Sequence, residues 1–343
     1  MKFNILENLK SEIVHYYESE TKNIITSTGN NFSVFLDGQK TQFSIPGKSK
    51  FLMRFRLLRR FLRYDKSNVI FNWKRDGVII LYQWKIYFFD LKLNELHFLD
   101  NLKQCRNVLH GGIAVNASGI FFGEYGHNTS RDPVPIWKSE DDGRSFSIVR
   151  ELHEKKIKHI HGVYVDKFSD SLWVVTGDFD GECFLIESKD DSFLNLVWHG
   201  DGTQQWRPVS LFFTPEKIIW AMDSPIQRAY LQSFDRTTQS IAQGQYFPGP
   251  VWYSKQFDSG AAVLQTSVEI GDEVKSKDAR IFYSHNLTDW TEIISFKKDI
   301  LPMSLFKFGV ISFAEGKQSN KDFVLFGEAL VGLEGMAIRA SID

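Results

Sequence analysis

The chain has 343 residues, of which 43% are hydrophobic and 15% aromatic, enough apolar material for a large core. Its 41 Lys and Arg residues against 42 Asp and Glu residues give a net charge of −1, which excludes a globally basic nucleic-acid or membrane binder. Cys105 and Cys183, with no CxxC pair, exclude a disulfide framework and a zinc ribbon. Acidic residues near the start and the lack of a long apolar run indicate a soluble, cytoplasmic protein.

The N-terminal part of the sequence predicts a short helix followed by two strands. Residues 1–22 place Ile5, Leu9, Ile13 and Val14 on one helical face. Residues 31–38 and 41–47 read as short strands joined by a turn. We expect residues 1–66 to form an N-terminal segment and residues 67–343 to form the main part of a single domain.

Residues 48–63 (KSKFLMRFRLLRRFLR) are rich in basic residues and contain no acidic one. One interpretation is a helix whose arginines pair with acidic residues elsewhere in the chain. The other is a surface that contacts an anionic partner, such as lipid headgroups, a phosphorylated carrier or an acidic glycan. The sequence leaves both open.

From Ser67 onward, short apolar runs separated by Gly, Asp, Asn and Ser fall into groups of four. Successive groups begin about 45–50 residues apart, a spacing typical of propeller blades. The sixth group contains only three runs. The first runs of the six groups are Val69–Trp73, Val108–Val115, His159–Val165, Arg207–Phe213, Val251–Phe257 and Leu305–Phe313.

This pattern predicts an all-β fold, a six-bladed β-propeller, with five or seven blades as alternatives. The incomplete last blade would be closed by an N-terminal strand, either Phe32–Leu36 or Thr41–Ile45.

Residues 139–146 match the pattern S-x-D-x-G-x-x-[WF]. In such a turn the Ser139 and Asp141 side chains satisfy backbone amides, Gly143 takes a positive φ and Phe146 packs beneath. We therefore expect Asp141 and Gly143 to be fold residues rather than catalytic ones. Weaker copies begin at Ser188 and Ser284.

The motif resembles the Asp-box of sialidase-like, BNR-repeat propellers. The stretches GEYGHN, HIHGVYVD, TGDFDGEC and WRPVSLFF also look like a group of bacterial propeller proteins often labelled glycosyl hydrolase and associated with polysaccharide gene clusters. One departure stands out: Ser44 precedes Ile45-Pro46 where sialidases have an arginine. That departure argues against an ordinary sialidase but not against other anionic glycans.

Acidic residues follow the second run of several groups. In a propeller, the loops before first strands and after second strands open on one face, so these side chains should converge at a single mouth. The candidate site residues are Glu124, Tyr125, Asp178, Asp223 and His161 for catalysis, and His110, His127, Arg131, His159, Asp180, Glu182, Gln205, Arg207, Tyr253 and Glu269 for substrate binding.

A divalent cation is a further possibility. Alternation along a strand places His159 and His161 on the same side, where His110 or His199 and a carboxylate could complete a metal shell. Alternatively, one histidine bonds to a backbone carbonyl and the other contacts a ligand. The acids of the Gly-rich loop 176–182 could bind a cation or sugar hydroxyls.

The resemblance implies a carbohydrate-active enzyme, and we expect a glycoside hydrolase acting on a bacterial polysaccharide, neutral or anionic, or on its precursor. Glu124 with Asp178 or Asp223 would form the paired carboxylates, and Arg131 and Arg207 would hold an anionic group.

Two alternatives remain. One is a metal-assisted uronate or polysaccharide lyase, and the other is a non-catalytic propeller that binds glycans or takes part in their assembly.

Overall fold

A computed structural model of the chain describes residues 1–47 and 55–343. These residues contain 28 strands, which form seven four-stranded sheets. Seven such sheets correspond to a seven-bladed β-propeller. The all-β prediction is confirmed, the six-blade prediction is wrong, and the seven-blade alternative holds.

The chain divides into two compact units. Unit 1 comprises the described residues of 1–66, 225–231 and 244–343, and unit 2 comprises residues 67–224 and 232–243. The predicted boundary between residues 66 and 67 stays a prediction.

Three sheets lie in unit 1. The first contains β2 to β5 (Ile13–Tyr17, Ile24–Thr28, Asn31–Leu36, Gln39–Ser44). The second contains β22 to β25 (Val251–Gln256, Ala262–Thr266, Asp278–Ser284, Thr291–Lys297). The third contains β1 (Phe3–Leu9) and β26 to β28 (Val310–Phe313, Phe323–Glu328, Ala337–Ile342), in the order β1-β28-β27-β26.

Three further sheets lie in unit 2. The strands of unit 2 are β6 to β9 (Asn68–Phe71, Gly77–Tyr82, Lys85–Asp90, Glu95–Asn101), β10 to β13 (Ile113–Asn116, Gly119–Gly123, Val134–Ser139, Ser147–Leu152) and β14 to β17 (His159–Val165, Leu172–Gly177, Cys183–Ser188, Leu196–Gly202). The seventh sheet consists of β18 to β21 (Phe212–Phe213, Lys217–Ala221, Ala229–Asp235, Ile241–Phe247).

Helices are few and short. The described helices are α1 (Arg56–Leu62), α2 (Met303–Phe306) and a 3₁₀ turn, Gln204–Trp206. No helix among the described residues has both the length and the apolar character needed to cross a membrane. The cytoplasmic location stays a prediction.

The predicted N-terminal helix is wrong, because β1 and β2 occupy residues 1–22. Register shifts interrupt both strands, between Ile5 and Glu7 in β1 and between Val14 and Tyr16 in β2. Each bulge inserts an extra residue and breaks the two-residue alternation, so the apolar spacing imitates a helix.

An N-terminal strand does complete the last sheet, but it is β1, paired with β28. The predicted closing strands, 32–36 and 41–45, instead belong to β4 and β5 of a separate complete sheet. The number of blades predicted from the sequence omits this sheet, because the apolar spacing of β2 predicts a helix.

The predicted groups of four otherwise match the strands of the other sheets, with three differences at first strands. β10 begins at Ile113, β18 contains only Phe212 and Phe213, and α2 precedes β26. The second strands β7, β11, β15 and β23 are buried along their whole length. Strands covered on both faces are continuously apolar, which explains why these runs were recognisable.

The basic segment proves to be a helix with its charges turned inward, as far as the structure describes it. Residues 48–54 lie outside the described residues. In α1, Arg59 pairs with Glu12, Arg60 lies 2.5 Å from Asp299, and both arginines are buried. For these two residues, the interpretation in which arginines pair with acids elsewhere is correct. The anionic-surface interpretation stays a prediction.

A buried ammonium group lies near α1 in unit 1. Lys307 Nζ lies 2.6 Å from Asp65 Oδ2 and 3.5 Å from Glu328 Oε2. Burial would raise the pKa of Glu328, but the positive charges of Lys307, Lys66 and Arg56 outweigh burial and lower that pKa.

The motif at residues 139–146 forms the turn between β12 and β13. Ser139 Oγ accepts a 2.8 Å hydrogen bond from the Gly143 amide, and Asp141 Oδ1 accepts one of 2.8 Å from the Ser145 amide. Phe146 packs against Phe122, with ring centroids 5.5 Å apart. Asp141 and Gly143 are therefore bound into the turn, as the motif predicts.

We expect Lys307→Met to lower the free energy of unfolding by about 3–5 kcal/mol, because it leaves two carboxylates without their buried cation. Glu328 has a lowered pKa when folded, so its stabilising contribution is present above its unfolded pKa and is lost as the pH falls. The variant should therefore lose less stability on acidification than the native protein. Urea unfolding at neutral and acidic pH measures both effects, with exposed Lys321→Met as the control. Equal stability of the two variants would contradict the prediction.

Gly143→Ala should destabilise the protein by about 1–3 kcal/mol more than Gly181→Ala. Both glycines have a positive φ, 93° and 86°, so both substitutions carry backbone strain. Only at Gly143 would the new methyl group lie 2.8 Å from Ile79 Cδ1, whereas Gly181 faces open space. Thermal unfolding of the two variants tests the difference, and equal melting temperatures would show that the turn is not packed as described.

Candidate functional site

The side chain of Asp178 is the centre of a charged cluster in unit 2. Its Oδ1 lies 3.2 Å from His159 Nε2, 3.3 Å from His161 Nε2 and 3.1 Å from Arg207 Nη2. Its Oδ2 accepts a 2.6 Å hydrogen bond from Lys158 Nζ. One carboxylate therefore contacts two imidazoles and two permanent cations.

Local backbone structure brings these groups together. Lys158 and His159 stand at the beginning of β14, and Asp178 follows the end of β15, which pairs with β14. The pairing skips a residue between Ile160 and Gly162, so His161 occupies a bulge. A Cβ at Gly177 would lie 2.7 Å from the His161 ring, so the absence of a side chain there makes room for the imidazole.

Arg207 links Asp178 to a second acid. Its Nε donates a 3.2 Å hydrogen bond to Asp223 Oδ2, and its Nη1 donates one of 2.7 Å to the Asp178 backbone carbonyl. The buried Gln204 also donates to that carbonyl at 3.1 Å. The guanidinium is therefore fixed and buried, which makes it a positioning group.

Both imidazoles have a fixed orientation. His159 Nδ1 lies 2.8 Å from the Gly126 carbonyl oxygen, and His161 Nδ1 lies 2.7 Å from that of Pro208. The half-buried ring of Tyr125 packs on His159, with centroids 4.1 Å apart. Burial lowers the pKa of His159, although Asp178 acts in the opposite direction.

The charge on Asp178 is stable. Burial would raise its pKa, but hydrogen bonds from the His159 and His161 rings when both ring nitrogens carry a proton, together with the Arg207 guanidinium, outweigh burial and hold the pKa far below its usual range. Asp178 is therefore ionised at neutral pH and cannot supply a proton.

The rim of the cluster is more accessible. Arg131 Nε donates a 2.6 Å hydrogen bond to Glu182 Oε1. The ring of Phe179, 50% exposed, has the Arg131 guanidinium and the Lys158 ammonium each 5.4 Å from its centroid. An exposed aromatic ring next to charged groups suits the apolar face of a sugar.

Glu124 has a different environment. It is fully buried, and its carboxylate accepts hydrogen bonds from the Lys103 amide at 2.8 Å, the Gln104 amide and Trp137 Nε1 at 2.8 Å. Three donors use most of its acceptor capacity, so these contacts explain Glu124 as an anchor for the loop after β9.

The remaining predicted residues are dispersed. His199 stacks on Trp173 and, with Gln205, lines a separate cavity of about 420 Å³. His127 and Asp180 are exposed, and His110 is half-buried between β9 and β10. In unit 1, Tyr253 is buried, and Glu269 accepts hydrogen bonds from Trp252 Nε1 at 3.1 Å and Ser267 Oγ at 3.0 Å.

A possible set of metal ligands exists among the described residues. One ligand atom each from His159, His161 and Asp178 lies within 4.8 Å of the others. His199, the other histidine proposed from the sequence, is not in this group.

Three site residues were missed in the sequence: Lys158, Phe179 and Gln204. A usable signal existed for Phe179, which is an aromatic residue in an otherwise polar, Gly-rich loop. For Lys158 and Gln204 no local pattern indicates a role, because their contacts with Asp178 depend on how the strands pair.

No protein-family model matches the sequence, and no curated protein matches it. Solved structures do match. The extracellular domain described as a one-component system, BT4673, from B. thetaiotaomicron is 11% identical with a TM-score of 0.59, covering 99% of this chain but only 40% of that chain. A chain of a mitotic checkpoint complex is 8% identical with a TM-score of 0.59, covering 99% of this chain and 94% of the other.

An oligogalacturonate lyase from Vibrio parahaemolyticus is 9% identical with a TM-score of 0.53, covering 99% of this chain and 97% of the lyase. At these identities the matches show the β-propeller fold alone. The resemblance to sialidases stays a prediction.

Replacing Glu124 by glutamine should destabilise the fold by about 1–3 kcal/mol, because a buried amide nitrogen would then face hydrogen-bond donors. The matched control is Glu151→Gln, whose side chain is half exposed and pairs with Lys103. Chemical unfolding curves compare the two variants. A native-like stability for Glu124→Gln, combined with a specific loss of activity, would instead indicate a catalytic carboxylate.

Proposed function

We propose that the Asp178 cluster binds an acidic oligosaccharide and cleaves it by β-elimination, as a uronate lyase does. The observation that carries the proposal is the set of groups fixed around Asp178: an ammonium, a phenol packed on buried imidazoles, and an exposed aromatic ring. These groups suit recognition of a carboxylate-bearing sugar and transfer of a proton.

Each accessible group has a role in this proposal. Lys158 and Arg131 bind the uronate carboxylate, and Phe179 stacks on the sugar ring. Tyr125 transfers the proton. Asp178, His159 and Arg207 are buried or nearly so, and they position the accessible groups.

The chemistry requires no second carboxylate. The Tyr125 oxygen, as phenolate, removes the proton on the carbon next to the uronate carboxylate and later returns it to the departing oxygen, and the C–H electron pair becomes a new C=C bond. The glycosidic C–O bond on the adjacent carbon breaks, and the departing oxygen takes up a proton. Lys158 and Arg131 favour the first step because they neutralise the charge that develops on the carboxylate.

Hydrolysis by paired carboxylates has less support. That mechanism needs one protonated carboxyl group and one ionised carboxylate on either side of the scissile bond. Asp178 remains ionised because of its neighbours, and Glu124 is fully buried and bonded to three donors. Elimination is consistent with these environments, because it uses a phenol and cations instead.

The fold match to an oligogalacturonate lyase supports the proposal, because a lyase of an acidic saccharide has the same type of fold. It supports the proposal only as a precedent for the fold, since the identity is 9%.

The test is incubation of the protein with oligosaccharides containing glucuronate, galacturonate, mannuronate or guluronate. Elimination gives a product with a C=C bond conjugated to the carboxylate, detected by ultraviolet absorbance and by a mass equal to the substrate minus the released fragment. Tyr125→Phe should lower kcat by about 10²–10⁴-fold, the usual contribution of a proton-transferring side chain. The control, Tyr87→Phe, should leave kcat unchanged.

Phe179→Ala should raise KM by about tenfold, equivalent to about 1.4 kcal/mol of binding. The matched control is Phe168→Ala, because Phe168 is 45% exposed and also has a lysine over its ring. Products that have gained water would contradict elimination and favour hydrolysis. Saccharide binding that depends on Phe179 without any product would identify a binding protein.

A further inference from the structure

Three potential metal ligands converge on one point beside β14. His159 Nε2 and His161 Nε2 lie 3.2 and 3.3 Å from the same oxygen, Asp178 Oδ1. Metal–ligand bonds of about 2.0–2.2 Å place neighbouring ligand atoms about 3.0 Å apart in an octahedral shell and about 3.4 Å apart in a tetrahedral one. The two distances to Oδ1 fall within that range.

The protons of the two rings are fixed by the backbone. A carbonyl oxygen can only accept a hydrogen bond, so the Nδ1 atoms that face Gly126 and Pro208 must carry hydrogen. In a neutral ring, Nε2 then has a lone pair. Both lone pairs point toward Asp178 Oδ1. The three atoms that face one another, two Nε2 atoms and one carboxylate oxygen, are therefore all electron-pair donors.

The His159 ring is 2% exposed, and its Nε2 is buried with no hydrogen-bond partner. Either the ring takes a second proton or a cation occupies the space between the donors. Arg207 and Lys158 already contact the Asp178 carboxylate, so its charge is balanced without a second proton on the His159 ring, and a cation between the donors satisfies the buried Nε2.

We propose that His159, His161 and Asp178 bind one divalent first-row transition-metal ion, with open coordination positions for an anionic oxygen ligand. Two imidazoles and one carboxylate select Mn²⁺, Fe²⁺, Co²⁺ or Zn²⁺ over Ca²⁺ and Mg²⁺, which prefer oxygen ligands. The Nδ1–H bonds to backbone carbonyls provide the outer contacts that orient ligating imidazoles in metal sites.

The surrounding charges determine what fills the open positions. Lys158, Arg207 and Arg131 balance Asp178, Asp223 and Glu182. A divalent ion would leave an excess of positive charge in a largely buried site, so it should bind more tightly when an anion binds with it. That the anion is a saccharide carboxylate rests on the proposed function.

The experiment uses tag-free full-length protein, freed of metal with a chelator and returned to chelator-free buffer. MnCl₂, CoCl₂ and ZnCl₂ are titrated by calorimetry with and without D-glucuronate, with CaCl₂ and MgCl₂ as comparison ions. We expect one transition-metal ion per chain, tighter binding when glucuronate is present, and much weaker binding of Ca²⁺ and Mg²⁺.

His159→Gln and His161→Gln should each weaken Co²⁺ binding by at least about 100-fold, the upper range for loss of an orienting contact. The matched control is His199→Gln, a mostly buried histidine of the same unit outside the cluster, and its affinity should equal that of the native protein. Unchanged affinity in both cluster variants would overturn the proposal, as would the absence of stoichiometric binding to the native protein with or without glucuronate.

A measurement on the native protein does not depend on the folding of the variants. Pulsed electron paramagnetic resonance of the Mn²⁺-loaded protein should show couplings to imidazole nitrogens, and a spectrum without them would also overturn the site. Elimination without metal binding would remove this inference but leave the proposed function. Metal binding without elimination would leave this inference and remove the proposed function.

Discussion

The carboxylate of Asp178 is the contact on which the candidate site of unit 2 depends. It joins the start of β14, the end of β15 and the segment before β18, because Lys158, the two imidazoles and Arg207 all meet it. Removing one partner from a buried charge pair leaves the other uncompensated, at a cost of about 3–5 kcal/mol. These charged contacts therefore fix the relative positions of the side chains around Asp178. The accessible groups at the rim are positioned by the same contacts.

Unit 1 also places ionic groups in its interior. Lys307 is buried between two carboxylates, and α1 directs Arg59 and Arg60 inward while Leu57 and Phe61 are exposed. This arrangement reverses the usual amphipathic pattern of a surface helix. It exists because Glu12 and Asp299, distant in sequence, supply the opposite charges.

Much of the fold could be predicted from the sequence, and the errors have physical causes. Strands buried on both faces are continuous apolar runs, which makes β7, β11 and β15 recognisable in the sequence. The blade count failed at the N-terminus, where bulges in β1 and β2 disguise the strand alternation. For the site, the acid after β15 and the two histidines of β14 were identified, whereas Lys158 and Gln204 were not.

The sequence by itself determined the strand pattern from residue 67 onward, the turn at residues 139–146 and the positions of acids at strand ends, since each of these depends on residues close together in the chain. Only the tertiary structure separated those acids by role. Glu124 and Asp178 follow strands in the same way, yet one meets backbone amides and an indole, and the other meets imidazoles and cations. Their partners come from other segments, and the chemical role of a carboxylate follows from the charge and hydrogen bonding of the groups that strand pairing brings to it.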